Sequence, residues 1–288
     1  MQAAGPAGPQ DAVCAVHPPL YVAGPDGPWE QMHDRVGRTG RAVVHTTWGV
    51  WLAAALLDPR LRTLLGRDFA RFRQTPDPAR RLSFAMSRYA MKYTAAAALE
   101  VPAEAIDLTY RPGGQPGVRG WGGRLALSLA HTDDLLVVGV SRTGPIGVDV
   151  ENARREISTG LLLEHVCTPA EALRLAQLPE PERSAGLLRL WTLKEAYTKA
   201  LGYGLRRQFS RVGFRQDGAG RMVLAEATDA REWDFCTHLV HGRYVVSQAH
   251  RPRGTIASRS CAASRPLEET GPSPATTLRS GAKTSGSG

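Results

Sequence analysis

Asp149 and Glu151 stand two residues apart in the apolar run Ile146-Gly147-Val148-Asp149-Val150-Glu151. In a strand, residues i and i+2 share a face. Both carboxylates therefore point one way with Gly147, while Val148 and Val150 point the other. Two like charges this close are costly unless a cation lies between them. An all-oxygen donor set suits a hard divalent cation such as Mg2+, which takes few carboxylates and completes its shell with water and phosphate oxygens. Taken alone, a D-x-E reads as a solvated strand edge. Farther on, Trp191-Thr192-Leu193-Lys194-Glu195-Ala196-Tyr197-Thr198-Lys199 clusters Trp191, Lys194, Glu195, Thr198 and Lys199 by helical spacing. Glu195, four residues before Lys199, reads either as half of a surface pair worth roughly 0.3–0.5 kcal/mol or as a third carboxylate or base, with both lysines on phosphate. His131 opens a turn, where a ring N–H can donate to phosphate.

Elements must hold these groups in place. Residues 48–57 form an apolar helix-like run stopped by Asp58-Pro59. Leu82, Met86, Tyr89, Ala90 and Tyr93 recur at helical spacing and predict a helix over 78–99, ended by Val101-Pro102. Strands are predicted over 125–130, 135–141 and 146–151. The turn chemistry of Thr132-Asp133-Asp134 and Arg142-Thr143-Gly144-Pro145 separates them, so they read as an antiparallel meander. Thr168-Pro169-Ala170-Glu171 offers an N-cap, a proline at the first helical position and the acid of a capping box, opening a helix to about Gln177. Another helix over 184–201 closes at Gly202. Strands are then predicted over 209–215, 221–225, 233–239 and 243–249. The order is that of an α+β protein with antiparallel sheet in two similar halves.

The 288 residues carry a net charge of +9, from 36 basic and 27 acidic side chains, with nearly half of it in 251–288. That balance favours anionic partners. No run approaches the roughly 18 apolar residues of a membrane helix. Met1 to Gln10 has neither the basic nor the apolar region of a signal peptide, so a cytoplasmic protein is expected. Cys14, Cys167, Cys236 and Cys261 lack C-x-x-C spacing and predict reduced thiols rather than a zinc site or a disulfide framework. The absence of a Walker A loop, G-x-G-x-x-G, G-x-S-x-G and H-E-x-x-H disfavours P-loop NTPases, Rossmann enzymes, serine hydrolases and zincins. Residues 1–19 read as a flexible segment. Residues 252–288 read as a disordered tail, too poor in large apolar residues to offset its ordering entropy.

Taken jointly, these residues resemble the Sfp-type 4′-phosphopantetheinyl transferases. Pro145 to Glu151 and Trp191 to Lys199 carry the resemblance, followed by Gly202-Tyr203-Gly204-Leu205. Ser128-Leu129-Ala130-His131 stands at the family's S-x-S-H strand end, and Asp77-Pro78-Ala79-Arg80 at its D-x-x-R helix start. The agreement in order spans about residues 70–250. The resemblance implies a pseudo-two-fold fold with halves at 20–144 and 145–251 and coenzyme A between them. It implies transfer of 4′-phosphopantetheine to a serine of an apo acyl or peptidyl carrier protein by a monomer. By position, Asp149, Glu151 and Glu195 would bind Mg2+, with Mn2+ as the alternative ion. Glu195 would also serve as base, Lys199 would stabilise the departing 3′,5′-ADP, and Lys194 would hold phosphate. His131 and Arg80 would meet the nucleotide end of coenzyme A. Acidic carriers would fit the positive body.

Some positions depart from the family's pattern. Ala130 replaces a serine, Gln115 replaces the lysine of Gly-Lys-Pro, and no single basic residue among Arg62, Arg67, Arg71 and Arg73 aligns before the D-x-x-R helix. The alternatives are a catalytically silent relative that binds coenzyme A or a carrier, and a nucleic-acid-binding protein. The intact acids and lysines argue against the first. The second rests on charge alone and lacks a binding motif.

Overall fold

Seven-residue stretches of β-branched and apolar residues form the strands that carry the protein. The computed structural model describes residues 16–155, 159–202, 208–226 and 232–253. The start before Val16, Tyr203-Gly204-Leu205 and the tail beyond Arg253 lie outside them. One sheet has the order β1-β2-β6-β5, built from β1 (Leu20–Tyr21), β2 (Arg41–Thr47), β6 (Leu135–Ser141) and β5 (Ala126–Thr132). Its pairs are antiparallel except β1 with β2. A second, antiparallel sheet has the order β10-β11-β7, from β10 (Asp234–Val240), β11 (Tyr244–His250) and β7 (Ile146–Asn152).

The predicted three-strand meander therefore breaks after two strands. β5 and β6 form a hairpin, but β7 leaves it and pairs with β11, Ile146 opposite His250 and Asn152 opposite Tyr244. Local turn chemistry identifies where a chain bends and says nothing of which distant strand takes the next ladder. Two further expectations shift. Residues 209–211 make a 3-10 turn (Phe209–Arg211), and only Phe214–Gln216 is strand, β8, paired with β9 (Met222–Leu224). Of the four cysteines expected to be reduced thiols, Cys167 is free and buried but Cys236 is disulfide-bonded.

One 22-residue helix covers the outer face of each sheet, α5 (Pro78–Leu99) on the first and α8 (Glu180–Leu201) on the second. Shorter helices precede each: α1 (Glu30–Thr39), α2 (Trp48–Leu57), α3 (Leu61–Leu65) and α4 (Asp68–Gln74), then α6 (Thr159–Val166) and α7 (Pro169–Ala176). A small hairpin, β3 (Leu108–Tyr110) with β4 (Pro116–Val118), follows α5. The Asp77 carboxylate caps α5 by accepting the Arg80 N–H, and Pro78 fills the first position. Thr168 and Glu171 form the predicted capping box of α7. Gly202 closes α8 at φ 74°, the left-handed conformation that glycine adopts without Cβ strain.

Alternation sorts each strand between two layers. Ala42 and Val44 of β2 pack with Met86, Tyr89 and Ala90 of α5, while Val43 joins Val137, Val148, Val150 and Val246 between the sheets. Leu193, Ala196 and Tyr197 of α8 pack on Phe214, Phe235 and Ala249. The facing edges of the two sheets are β5 and β7, and the Ser128 hydroxyl on β5 accepts the Val148 N–H at 3.0 Å. The described residues fall within one compact unit ending at Arg253. Arg251 and Arg253 still donate backbone bonds to Pro145 and Thr143, so order persists past the expected start of the tail. Among the described residues, no helix is long and apolar enough to cross a membrane.

Candidate active site

Gly147 determines how closely α8 can lie on β7. A Cβ there would overlap the Ala196 carbonyl oxygen and stand 2.6 Å from the Ala200 nitrogen, so only glycine lets the helix backbone press onto the strand. Asp149 and Glu151, on the same face, then meet the next turn of α8. Lys199 reaches across, donating to Asp149 Oδ1 at 2.7 Å and to the Val148 carbonyl at 3.2 Å. Asp149 is buried, 8% exposed. Its carboxyl titrates above the usual range because burial outweighs the Lys199 ammonium, and Glu151 adds to the rise. Glu195 is half-buried and is pushed up by burial first and then by Asp149 and Glu151, against the pull of Lys199. Glu151 pairs with Arg155, and Thr132 reaches its other oxygen at 3.4 Å.

Three carboxylates thus feel one another's charge around one ammonium. Among the described residues, no three Asp, Glu, His or Cys side chains close into a single coordination sphere. The donor set still suits a hard divalent cation, since every candidate donor atom of Asp149, Glu151 and Glu195 is a carboxylate oxygen.

His131, at the end of β5, stands at the surface, yet packing around it lowers its pKa, helped by the Lys199 and Arg88 cations. The influence of the Lys199 charge is what links it to that centre. Arg80, expected at the nucleotide end of coenzyme A, lies exposed in the first turn of α5, about 12 Å along the helix from Arg88. Lys194 corrects an expectation. It is fully buried, with its ammonium 2.6 Å from Glu171 Oε2 and bonded to the Val166 and Phe209 carbonyls at 2.6 and 3.1 Å. Every donor is taken, and no face is left for phosphate. One helical position turns Lys194 away from the side that Glu195 and Lys199 share.

Sequence reasoning passed over Arg88 and the role of Gln115. Arg88 lies 3.2 Å from Asp68 and over the rings of Phe84 and Tyr110, at 4.3 and 5.1 Å. The available signal is a charged residue, one of two with Lys92, inside the mostly apolar stretch from Met86 to Tyr93. Arg71 stacks on the same Phe84 ring. Gln115 Nε2 donates to the Lys199 carbonyl at 3.2 Å, so the residue that replaces the family's lysine ties down the end of α8.

The family model of the 4′-phosphopantetheinyl transferase superfamily matches residues 145–249, which contain β7, α8 and β11. A putative 4′-phosphopantetheinyl transferase of Synechocystis sp. is 27% identical over 188 residues, covering 64% of this chain and 76% of that protein. The 4′-phosphopantetheinyl transferase HetI of Nostoc sp. is 29% identical over 147 residues, 50% of this chain and 62% of the relative. A holo-(acyl-carrier-protein) synthase from Bacillus anthracis, solved with CoA (3′,5′-ADP), overlaps 38% of this chain and 96% of its own at 24% identity and a TM-score of 0.32. At that score the likeness supports no further statement about this chain.

Proposed function

Since this chain belongs, through residues 145–249, to the 4′-phosphopantetheinyl transferase superfamily, we propose that it moves 4′-phosphopantetheine from coenzyme A to a serine of an apo acyl or peptidyl carrier protein. The observation that carries this reading is the meeting of Asp149, Glu151, Glu195 and Lys199 where β7 lies on α8. The chain acts as an Sfp-type enzyme whose two halves, 20–144 and 145–251, are supplied together. Asp149, Glu151 and Glu195 would hold Mg2+, which when bound would neutralise charge on the pyrophosphate. Glu195 accepts the proton of the carrier serine, directly or through water. The serine oxygen forms the new bond to phosphorus of the phosphopantetheine phosphate, and the bond from that phosphorus to the oxygen of 3′,5′-ADP breaks. Lys199 stabilises the charge that the departing 3′,5′-ADP gains. His131 and Arg88 line the approach of the nucleotide end.

The test is to incubate the protein with coenzyme A, Mg2+ and an apo carrier and to weigh the intact carrier. The expected result is a gain of one phosphopantetheine, lost with EDTA. No gain with any carrier class, while coenzyme A still binds, would replace this reading with that of a silent relative.

A further inference from the structure

The chain holds four lysines, Lys92, Lys194, Lys199 and Lys283, among 36 basic residues. Two of the four are buried at matching places. Lys92 and Lys194 each occupy the fifteenth position of a 22-residue helix, α5 and α8. Each donates at 2.6 Å to a backbone carbonyl 28 residues earlier, Leu64 at the end of α3 and Val166 at the end of α6. An Arg-rich chain that keeps lysine at both places needs a compact head with tetrahedral donors, because a planar guanidinium is larger and cannot converge on closely set carbonyls.

The two differ in what else they hold. Lys92 makes one hydrogen bond among the described residues and no ion pair within 4 Å. Lys194 adds the Phe209 carbonyl and Glu171. Glu171 is itself 1% exposed, and its oxygens also accept the backbone N–H groups of Thr168 and Phe214. A single ammonium–carboxylate pair thus joins α6, α7, the turn at Phe209 and β8 to one point on α8.

We propose that Lys194, locked by Glu171, is a positioning residue that fixes the rotation of α8 and so places Glu195 and Lys199 against Asp149, whereas Lys92 only holds its own half together. This rests on the reading of those residues as the reacting centre. Successive helix positions are about 100° apart, so Glu195 and Lys199 lie roughly 100° and 140° around the helix from Lys194. A rotation released at Lys194 displaces both tips in the same sense. At Asp149 an error near 1 Å is enough to cost about 10²-fold in rate.

Two readouts separate this positioning role from the proposed activity. Acetylation of Lys199 by an N-hydroxysuccinimide ester, followed by peptide mass, reports the Lys199–Asp149 contact without turnover. In Lys194→Met this labelling should rise about fivefold over the parent, while in Lys92→Met it stays within twofold although the melting temperature falls. Where transfer is measurable, Lys194→Met should lower kcat about 10²-fold with KM for the carrier unchanged, and Lys92→Met should leave kcat within twofold. If Lys194→Met shows no melting transition, Glu171→Leu with Lys194→Met replaces it, since exchanging a buried ion pair for apolar residues keeps the fold. Parental Lys199 labelling in a folded Lys194 variant overturns the proposal, whether or not the parent transfers phosphopantetheine. Absence of transfer with raised labelling sinks only the reaction and leaves the positioning role standing.

Discussion

The two halves share a scaffold and differ in the residues that face the helix. In each, a seven-residue strand (β2 or β7) pairs antiparallel with the second strand of a hairpin, and its first residue lies opposite that partner's last. In each, a long helix covers the strand and ends on a left-handed residue, Glu100 at φ 57° or Gly202 at φ 74°. Strand positions two, four and six are Ala42, Val44 and Thr46 in the first half and Gly147, Asp149 and Glu151 in the second. Opposite them on the helices, three residues before the C-terminal buried Lys is Tyr89 or Trp191, and the next position after it is Tyr93 or Glu195. The same face is a dry core in one half and a charged centre in the other. The fold tolerates both, because strand positions four and six, Val44 and Thr46 or Asp149 and Glu151, can differ while the strand pairing and the long helix stay the same.

The largest test of that contrast is reciprocal. Asp149→Ala should reduce transfer by about 10²–10³-fold while the melting temperature stays within a few degrees, as read by carrier mass and a thermal scan. Val44→Asp, its mirror, should lose several kcal/mol in urea unfolding because it buries an unpaired carboxylate. Equal stability losses in the two would erase the distinction between site and core. Next come the aromatic residues. Tyr89 is fully buried and Trp191 only half-buried, edge-on to Phe209. Tyr89→Ala should cost about 3–5 kcal/mol and Trp191→Ala about half as much, by chemical denaturation. Gly147→Ala should cost about 1–3 kcal/mol through overpacking and lower transfer with it, whereas Ala42→Gly should leave transfer unchanged.

The mildest test is acid. His45, on β2, is buried, and burial first and His241 second lower its pKa from 6.5 to about 4. The unfolded chain therefore binds the extra proton between those values. Stability is fully present above about pH 6.5 and is lost as pH falls towards 4. The matching residue of the second half is Val150, which does not titrate. His45→Val should flatten the dependence of melting temperature on pH over that window, and an unchanged slope would assign it to other groups.

Much of this was legible in the sequence because it is local. The helix over 78–99 came from apolar spacing and its Asp77 cap, the α7 start from a capping box, and the end of α8 from Gly202. Asp149, Glu151, Glu195 and Lys199 were found by residue type and spacing, and the fold brings them together. What was not legible depends on direction or on distant partners. Spacing groups Lys194 with Glu195 and Lys199, but which side of α8 faces β7 is decided by Gly147 and by Glu171, 23 residues upstream. The pairing of β7 with β11 joins segments about a hundred residues apart. The strand Arg41–Thr47 carries β-branched density in Val43, Val44, Thr46 and Thr47, but it runs directly into the more strongly apolar helix Trp48–Leu57, whose pattern masks it.

β7 closes its sheet as an edge strand, the kind of surface on which a foreign chain readily adds a ladder. Here the Val148 N–H is held by Ser128 and its carbonyl by Lys199. At Val148, both backbone groups that an intruding strand would need are already taken by side chains of the protein itself. Under the proposed function, that guard and the catalytic geometry share Lys199, so weakening either is expected to weaken both.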